Sequence, residues 1–130
     1  MWILISPWFL KWFTPKSISG VTIFPFIILD KKELKLDKTF VNHELIHIYQ
    51  QMELFFILFI LLYYFEYLIL FLKYKNWHTA YRNISFEREA YENESNYDYL
   101  KTRKWFSFSK YWQKPPDLSE LKACLNCLFQ

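Results

Sequence analysis

A chain of 130 residues fits one compact domain better than two, and 53% hydrophobic residues, 23% aromatic residues and a single glycine, Gly20, point to a mainly α fold. A net charge of +3 spread over scattered lysines gives no dense basic stripe, which excludes nucleic acid as a partner. Cys124 and Cys127 form a lone CxxC; it lacks the second pair of a zinc ribbon and the βαβ surroundings of a thioredoxin-like site, so both read as thiols on a last helix.

Residues 1–20 form an aromatic N-terminal arm. Its apolar start is broken by Pro7 and Lys11, lacks a basic leader and a small-residue cleavage site, and is too short to span a bilayer. Trp2, Trp8 and Trp12 suit either a membrane surface or a cover over the core. Residues 21–112 read as the main domain. Val21 to Leu29 is β-branched and aromatic and predicts a strand, which Pro25 confines to an edge or splits in two. After the turn at Asp30 to Glu33, Leu34 to Leu36 could return as a second strand, making a small edge β-hairpin over 21–36.

Asp37 and Thr39 are good N-caps, and Phe40, Val41, Leu45, Ile48 and Met52 recur at helical spacing, predicting a helix over 39–53. It carries His43-Glu44-Leu45-Ile46-His47. On a helix, residues four apart share a face, so both imidazoles can reach one metal ion with Glu44 beside them. Such a pentapeptide binds zinc, and Glu44 is placed as the base that takes a proton from the metal's water as it attacks a carbonyl.

Residues 54–72 are apolar with Glu66 as the only charge, long enough for a transmembrane candidate. A single helix from Phe40 to Leu72 would be about 50 Å long, carrying whatever follows far from His43. Residues 80–102 read as a second, charged helix, and 113–130 as a C-terminal tail.

A catalytic zinc takes three protein ligands and keeps one position open, so a third must come from Glu53, Glu66, His78, Glu87, Glu89 or Glu92. Glu53 sits on the same helix and cannot curl back. Glu66 needs a break before it, His78 lies in a loop, and Glu87 and Glu89 lie on the charged helix. Glu87, Arg88, Glu92 and Glu94 could equally form solvated surface pairs.

The segment Ser85-Phe86-Glu87-Arg88-Glu89-Ala90-Tyr91, following HELIH, resembles the gluzincin metallopeptidases, notably the membrane-bound prenyl-protein endoproteases and their heat-shock relatives. In those a second helix carries a glutamate ligand three residues before an Ala-Asp pair. Residues 21–99 also look like small uncharacterised HExxH proteins of bacteria. The resemblance implies a minimal zincin-like helical core, a zinc ion on His43, His47 and Glu87 with Glu89 as runner-up, and hydrolysis of a peptide or protein substrate that pairs with the edge strand. The chain departs from the pattern at Tyr91, where those families have aspartate, leaving the hydrogen bond to a ligand histidine without its usual acceptor; a tyrosine there could hydrogen-bond outward or stabilise an oxyanion. The rival readings are a non-catalytic metal-binding protein and a membrane-associated interaction protein.

If Glu87 and His43 share an ion, residues 54–72 cannot be a straight span, because the charged helix would have to re-enter the membrane. That leaves an apolar hairpin bent within the run or a shallow monotopic insertion, with a soluble cytoplasmic form as the alternative.

Overall fold

The computed structural model describes residues 2–14 and 18–112. Cys124, Cys127 and the 113–130 tail lie outside the described residues. The fold is mainly helical with a small three-stranded sheet.

The sheet contains β1 (Trp2–Ile5), β2 (Gly20–Ile23) and β3 (Phe26–Leu29), in the order β1-β3-β2. The expected strand at Val21 to Leu29 is split at Phe24-Pro25, and its halves pair antiparallel, with Val21 opposite Ile28. Proline has no N–H to give a ladder, so it sits at the turn. Two expectations need correcting. Leu34 to Leu36 is not a strand but lies in a 3-10 turn, Lys32–Leu36. The place it would have taken belongs to β1, which pairs parallel with β3, Ile3 opposite Ile27. The N-terminal arm is therefore part of the sheet. It continues into α1 (Pro7–Phe13), where Trp8 and Trp12 are exposed.

The long amphipathic helix is α2 (Lys38–Glu53), started by Asp37, whose carboxylate accepts from the backbone N–H of Thr39 and Phe40. A cap of this kind contributes about 1 kcal/mol. One face of α2 packs on the sheet through Ile48, Leu45 and Phe40 against Ile27 and Leu29. Gly20 makes that approach possible, because a Cβ there would stand 2.7 Å from the Phe40 ring.

The chain turns at Leu54 and Phe55, where Phe55 takes a left-handed φ of 48°, and starts α3 (Phe55–Tyr74). This is where the apolar run departs from expectation: the bend precedes the run, and the run itself is one unbroken helix. Lys75, at φ 52°, closes α3 in the left-handed position usually given to glycine. The predicted helix over 80–102 is three helices, α4 (Trp77–Arg82), α5 (Ser85–Asn93) and α6 (Tyr99–Thr102). A second core cluster, Phe59, Leu70, Ala80, Ile84, Phe86 and Phe108, joins α3 to α4, α5 and a closing 3-10 turn at Ser107–Tyr111.

Glu66, the one charge in the apolar run, is 3% exposed and lies where α3 meets the start of α5. Its two oxygens accept from the Ser85 backbone N–H at 2.8 Å and the Ser85 hydroxyl at 2.7 Å. It satisfies an otherwise unpaired helix-start donor, and its negative charge suits that end of the helix. Glu66 is thus a tether from α3 to α5 rather than a metal ligand. Among the described residues, α3 is the one helix long and apolar enough to cross a membrane, and only 17% of its most apolar 18-residue stretch is buried.

Candidate metal centre

His43 and His47 lie one turn apart on α2 and both face Glu87, which lies in the first turn of α5, held in place by Glu66. Their ligand atoms converge. His43 Nε2 is 3.2 Å from His47 Nε2, and each stands 3.4 Å from a Glu87 oxygen. The two 3.4 Å distances run to different oxygens, Oε2 for His43 and Oε1 for His47, and one donor atom from each of the three residues lies within 4.8 Å of the others, close enough for all three to face one divalent ion.

All three side chains are buried, and Glu87 Oε2 has no hydrogen-bond partner among the described residues. A buried carboxylate oxygen without a donor is costly unless a cation faces it. Glu87 Oε1 accepts from the Tyr63 hydroxyl at 2.7 Å, which fixes the carboxylate from the α3 side. The donor set and its burial fit a bound divalent ion.

The far nitrogens of both imidazoles are fixed as well. His43 Nδ1 is 2.9 Å from Glu94 Oε2, and His47 Nδ1 is 2.8 Å from Gln50 Oε1. The Gln50 amide is oriented without ambiguity, since its nitrogen donates to the Phe86 carbonyl and to Glu89. Both partners of the rings are acceptors, so each Nδ1 carries the proton and each Nε2 turns a lone pair toward Glu87. Without a cation, the cluster holds a proton instead. Burial alone would lower the His47 pKa, but the Glu87 charge beside it outweighs burial and raises it to about 9. Burial would raise the Glu87 carboxyl, yet the two imidazoles hold it well below the usual carboxylate range.

Glu94 is the functional residue that the sequence reading missed. At the position of the expected aspartate, Tyr91 packs edge-on against the His43 ring, 4.5 Å between centroids, with the Arg82 guanidinium over its own face. The hydrogen bond to His43 comes from one turn further along. Asn42 places Glu94 there by donating from its side-chain nitrogen to the carbonyls of Asn93, Glu94 and Asn96, which ties down the end of α5. Carboxylates behind ligand histidines typically matter 10- to 100-fold in affinity. Glu94→Gln, which keeps an acceptor but loses the charge, is therefore expected to weaken binding of an added divalent metal ion by about tenfold, and Glu94→Ala by up to about 100-fold. Competition with a chromogenic chelator measures this.

The other proposed ligands are elsewhere. Glu89, two residues after Glu87 and so turned to another side of α5, is fully buried, paired with Arg103 and accepting from Tyr99 and Gln50. Glu53 also pairs with Arg103. The chain Arg103, Glu89, Gln50 braces His47 from behind. His78 is exposed with its ring against Trp77, and Glu92 is exposed on the outer side of α5.

Glu44 is 5% exposed, and its Oε2 accepts a hydrogen bond from the Thr22 hydroxyl of β2. Next to it, the Gln51 side chain accepts from the Phe24 N–H at 2.7 Å and donates to the Thr22 carbonyl at 2.8 Å, locking β2 beside α2. Two clefts meet at this point. The larger, about 570 Å³, runs between β2 and α3 past Phe56, Ile60 and Tyr63. The smaller, about 180 Å³, runs toward Trp77, His78 and Glu94. The cluster is thus buried at its back and open at its front. No family model, curated protein or solved structure matches the chain.

Proposed function

We propose that this protein is a zinc-dependent peptide-bond hydrolase working at a membrane surface, with His43, His47 and Glu87 as zinc ligands and Glu44 as general base. The observation that supports it most is the buried triangle of two imidazoles and an unpartnered carboxylate oxygen opening onto a cleft that Glu44 also lines. A bound zinc supplies Lewis acidity, polarising a carbonyl and bringing the pKa of water toward neutrality. The chain does the rest. Glu44 takes a proton from water as its oxygen adds to the carbonyl carbon and passes it to the leaving nitrogen as the C–N bond breaks. Thr22 steers the Glu44 carboxylate through its hydrogen bond. The Gln51 amide occupies the Thr22 carbonyl and Phe24 N–H, so an extended substrate pairs with β2 toward its Gly20 end. Hydrolysis of labelled, unfolded casein is expected to stop with a zinc chelator and to return when zinc is restored; activity that persists in chelator would rule the reading out.

The membrane part of the proposal is supported by α3. One face carries Tyr63 and Glu66 onto α5, while Ile57, Leu61 and Phe65, spaced four apart, are 74%, 61% and 57% exposed. A stripe of this kind suits shallow, monotopic insertion, with Lys73 exposed at its polar end. Replacing Ile57 and Leu61 together with glutamine removes about 1.5 kcal/mol of burial per side chain, so binding to phosphatidylglycerol-containing vesicles is expected to weaken about 100-fold. Unchanged sedimentation with vesicles would count against it.

A further inference from the structure

Among the described residues, three that are not glycine take a left-handed φ: Phe55 at 48°, Lys75 at 52° and Phe106 at 57°. A bulky side chain strains the backbone there, and glycine is the residue that relieves it. Lys75 holds a charged side chain in water at the end of α3, but the other two hold aromatic rings. Phe55 is 83% exposed, Phe106 is exposed too, and Trp105, whose ring centre is 6.3 Å from that of Phe106, is 73% exposed. In water, strained backbone and bare rings both count against this arrangement.

The two strained residues stand together because Glu53 joins them. The Phe106 N–H donates to Glu53 Oε2 at 3.1 Å, two residues before Phe55, and Glu53 is itself paired with Arg103. Beneath them, Leu54 and Phe108 belong to one buried cluster. The rings are thus carried on an anchored corner between α2 and α3. We propose that Phe55, Trp105 and Phe106 form a docking surface for an anionic lipid bilayer. This rests on the membrane part of the reading above and adds where the protein enters the bilayer and which lipid charge it selects.

Two observations point to lipid. The corner is continuous with the exposed side of α3: Ile57 and Leu58, in its first turn, are exposed as well, at the opposite end of the helix from Lys73. An indole such as that of Trp105 suits the headgroup level, and phenyl rings suit the acyl boundary beneath it. The second observation is charge. Lys104, next to Trp105, and Lys110, on the 3-10 turn that follows, are both exposed, while the acid that reaches this corner, Glu53, is matched by Arg103. Lysines beside inserted rings meet the phosphates of anionic lipids.

The test is Phe55→Gly combined with Phe106→Gly in the full chain. It is read by sedimentation with vesicles of phosphatidylcholine, with and without phosphatidylglycerol, and by melting without lipid. Glycine relieves the left-handed backbone, so the melting temperature should hold or rise, while vesicle binding should weaken about tenfold for each ring removed. Lys104→Gln and Lys110→Gln should each weaken binding to the phosphatidylglycerol vesicles about fivefold and leave binding to pure phosphatidylcholine unchanged. A lower melting temperature in the glycine variant would mean that the rings are covered within the chain, which overturns the inference. A parent that sediments as a dimer without lipid, with the variant a monomer, overturns it too, since the surface would then belong to a second copy. Unchanged vesicle binding in the glycine variant, where the Ile57 and Leu61 replacements do weaken it, defeats the inference and leaves the membrane reading standing on α3. If the parent binds no vesicles, the two fall together.

Discussion

Glu44→Gln is expected to keep its zinc and lose hydrolysis by about 10³-fold, within the range for removing a general base. The two halves of that result have separate causes in the structure. The carboxylate of Glu44 lies outside the group formed by His43, His47 and Glu87, so its neutralisation leaves all three ligands in place. Glutamine has nearly the same volume, and its amide oxygen can still accept from the Thr22 hydroxyl, so the buried site keeps its hydrogen bond and the link between β2 and α2 survives. What glutamine cannot do is accept a proton. Zinc content by atomic emission and cleavage of labelled casein check the two halves independently. A Glu44→Gln protein that cuts as fast as the parent would remove the base from the mechanism, and one that loses its zinc would mean the site is assembled differently.

Glu87→Gln should have the largest effect on metal binding. Loss of a hydrogen-bonding partner behind a ligand costs 10- to 100-fold; loss of the only anionic ligand is expected to cost more than about 100-fold. The same substitution has a pH signature in metal-free protein. The His47 imidazole is raised from its ordinary 6.5 to about 9, a raise that Glu87 causes against the opposing effect of burial. A raised pKa gives stability that is fully present below pH 6.5 and is lost as pH climbs through about 9. Metal-free parent protein is therefore expected to melt at progressively lower temperature across that window. In Glu87→Gln the decline should largely vanish, because the charge that raised His47 is gone. Zinc competes with that proton, so its affinity for the parent rises over the same interval. Melting curves at fixed ionic strength between pH 6 and pH 9 read all of this; a flat profile for the parent would contradict the pairing of His47 with Glu87.

The parts of this protein legible in its sequence were those that depend on near neighbours. The His43 and His47 pair needs only a helix, and Asp37 announces where that helix begins. Pro25 divides the strand because of what proline lacks. Harder to read were features set by residues far apart. The break of 80–102 into three helices has no glycine or proline to mark it. It comes from Glu66 capping α5 across 19 positions and from Asn42 holding the carbonyls at its end. The strand at Trp2–Ile5 pairs with β3 some 24 residues on, and nothing local distinguishes it from an apolar arm. Glu94 could have been found. It lies seven residues after Glu87, two helical turns along the same face, and its side chain is one methylene longer than the aspartate expected at position 91. Gln50, one turn beyond His47 on α2, carried a similar signal.

The metal centre is the claim on which the rest depends, and zinc content per chain after purification without chelators tests it most directly. About one zinc per chain in the parent is expected, falling toward none when His43, His47 or Glu87 is replaced by alanine and staying near one when Glu89 is replaced by glutamine. A parent protein without zinc, or a zinc content indifferent to Glu87, would contradict it.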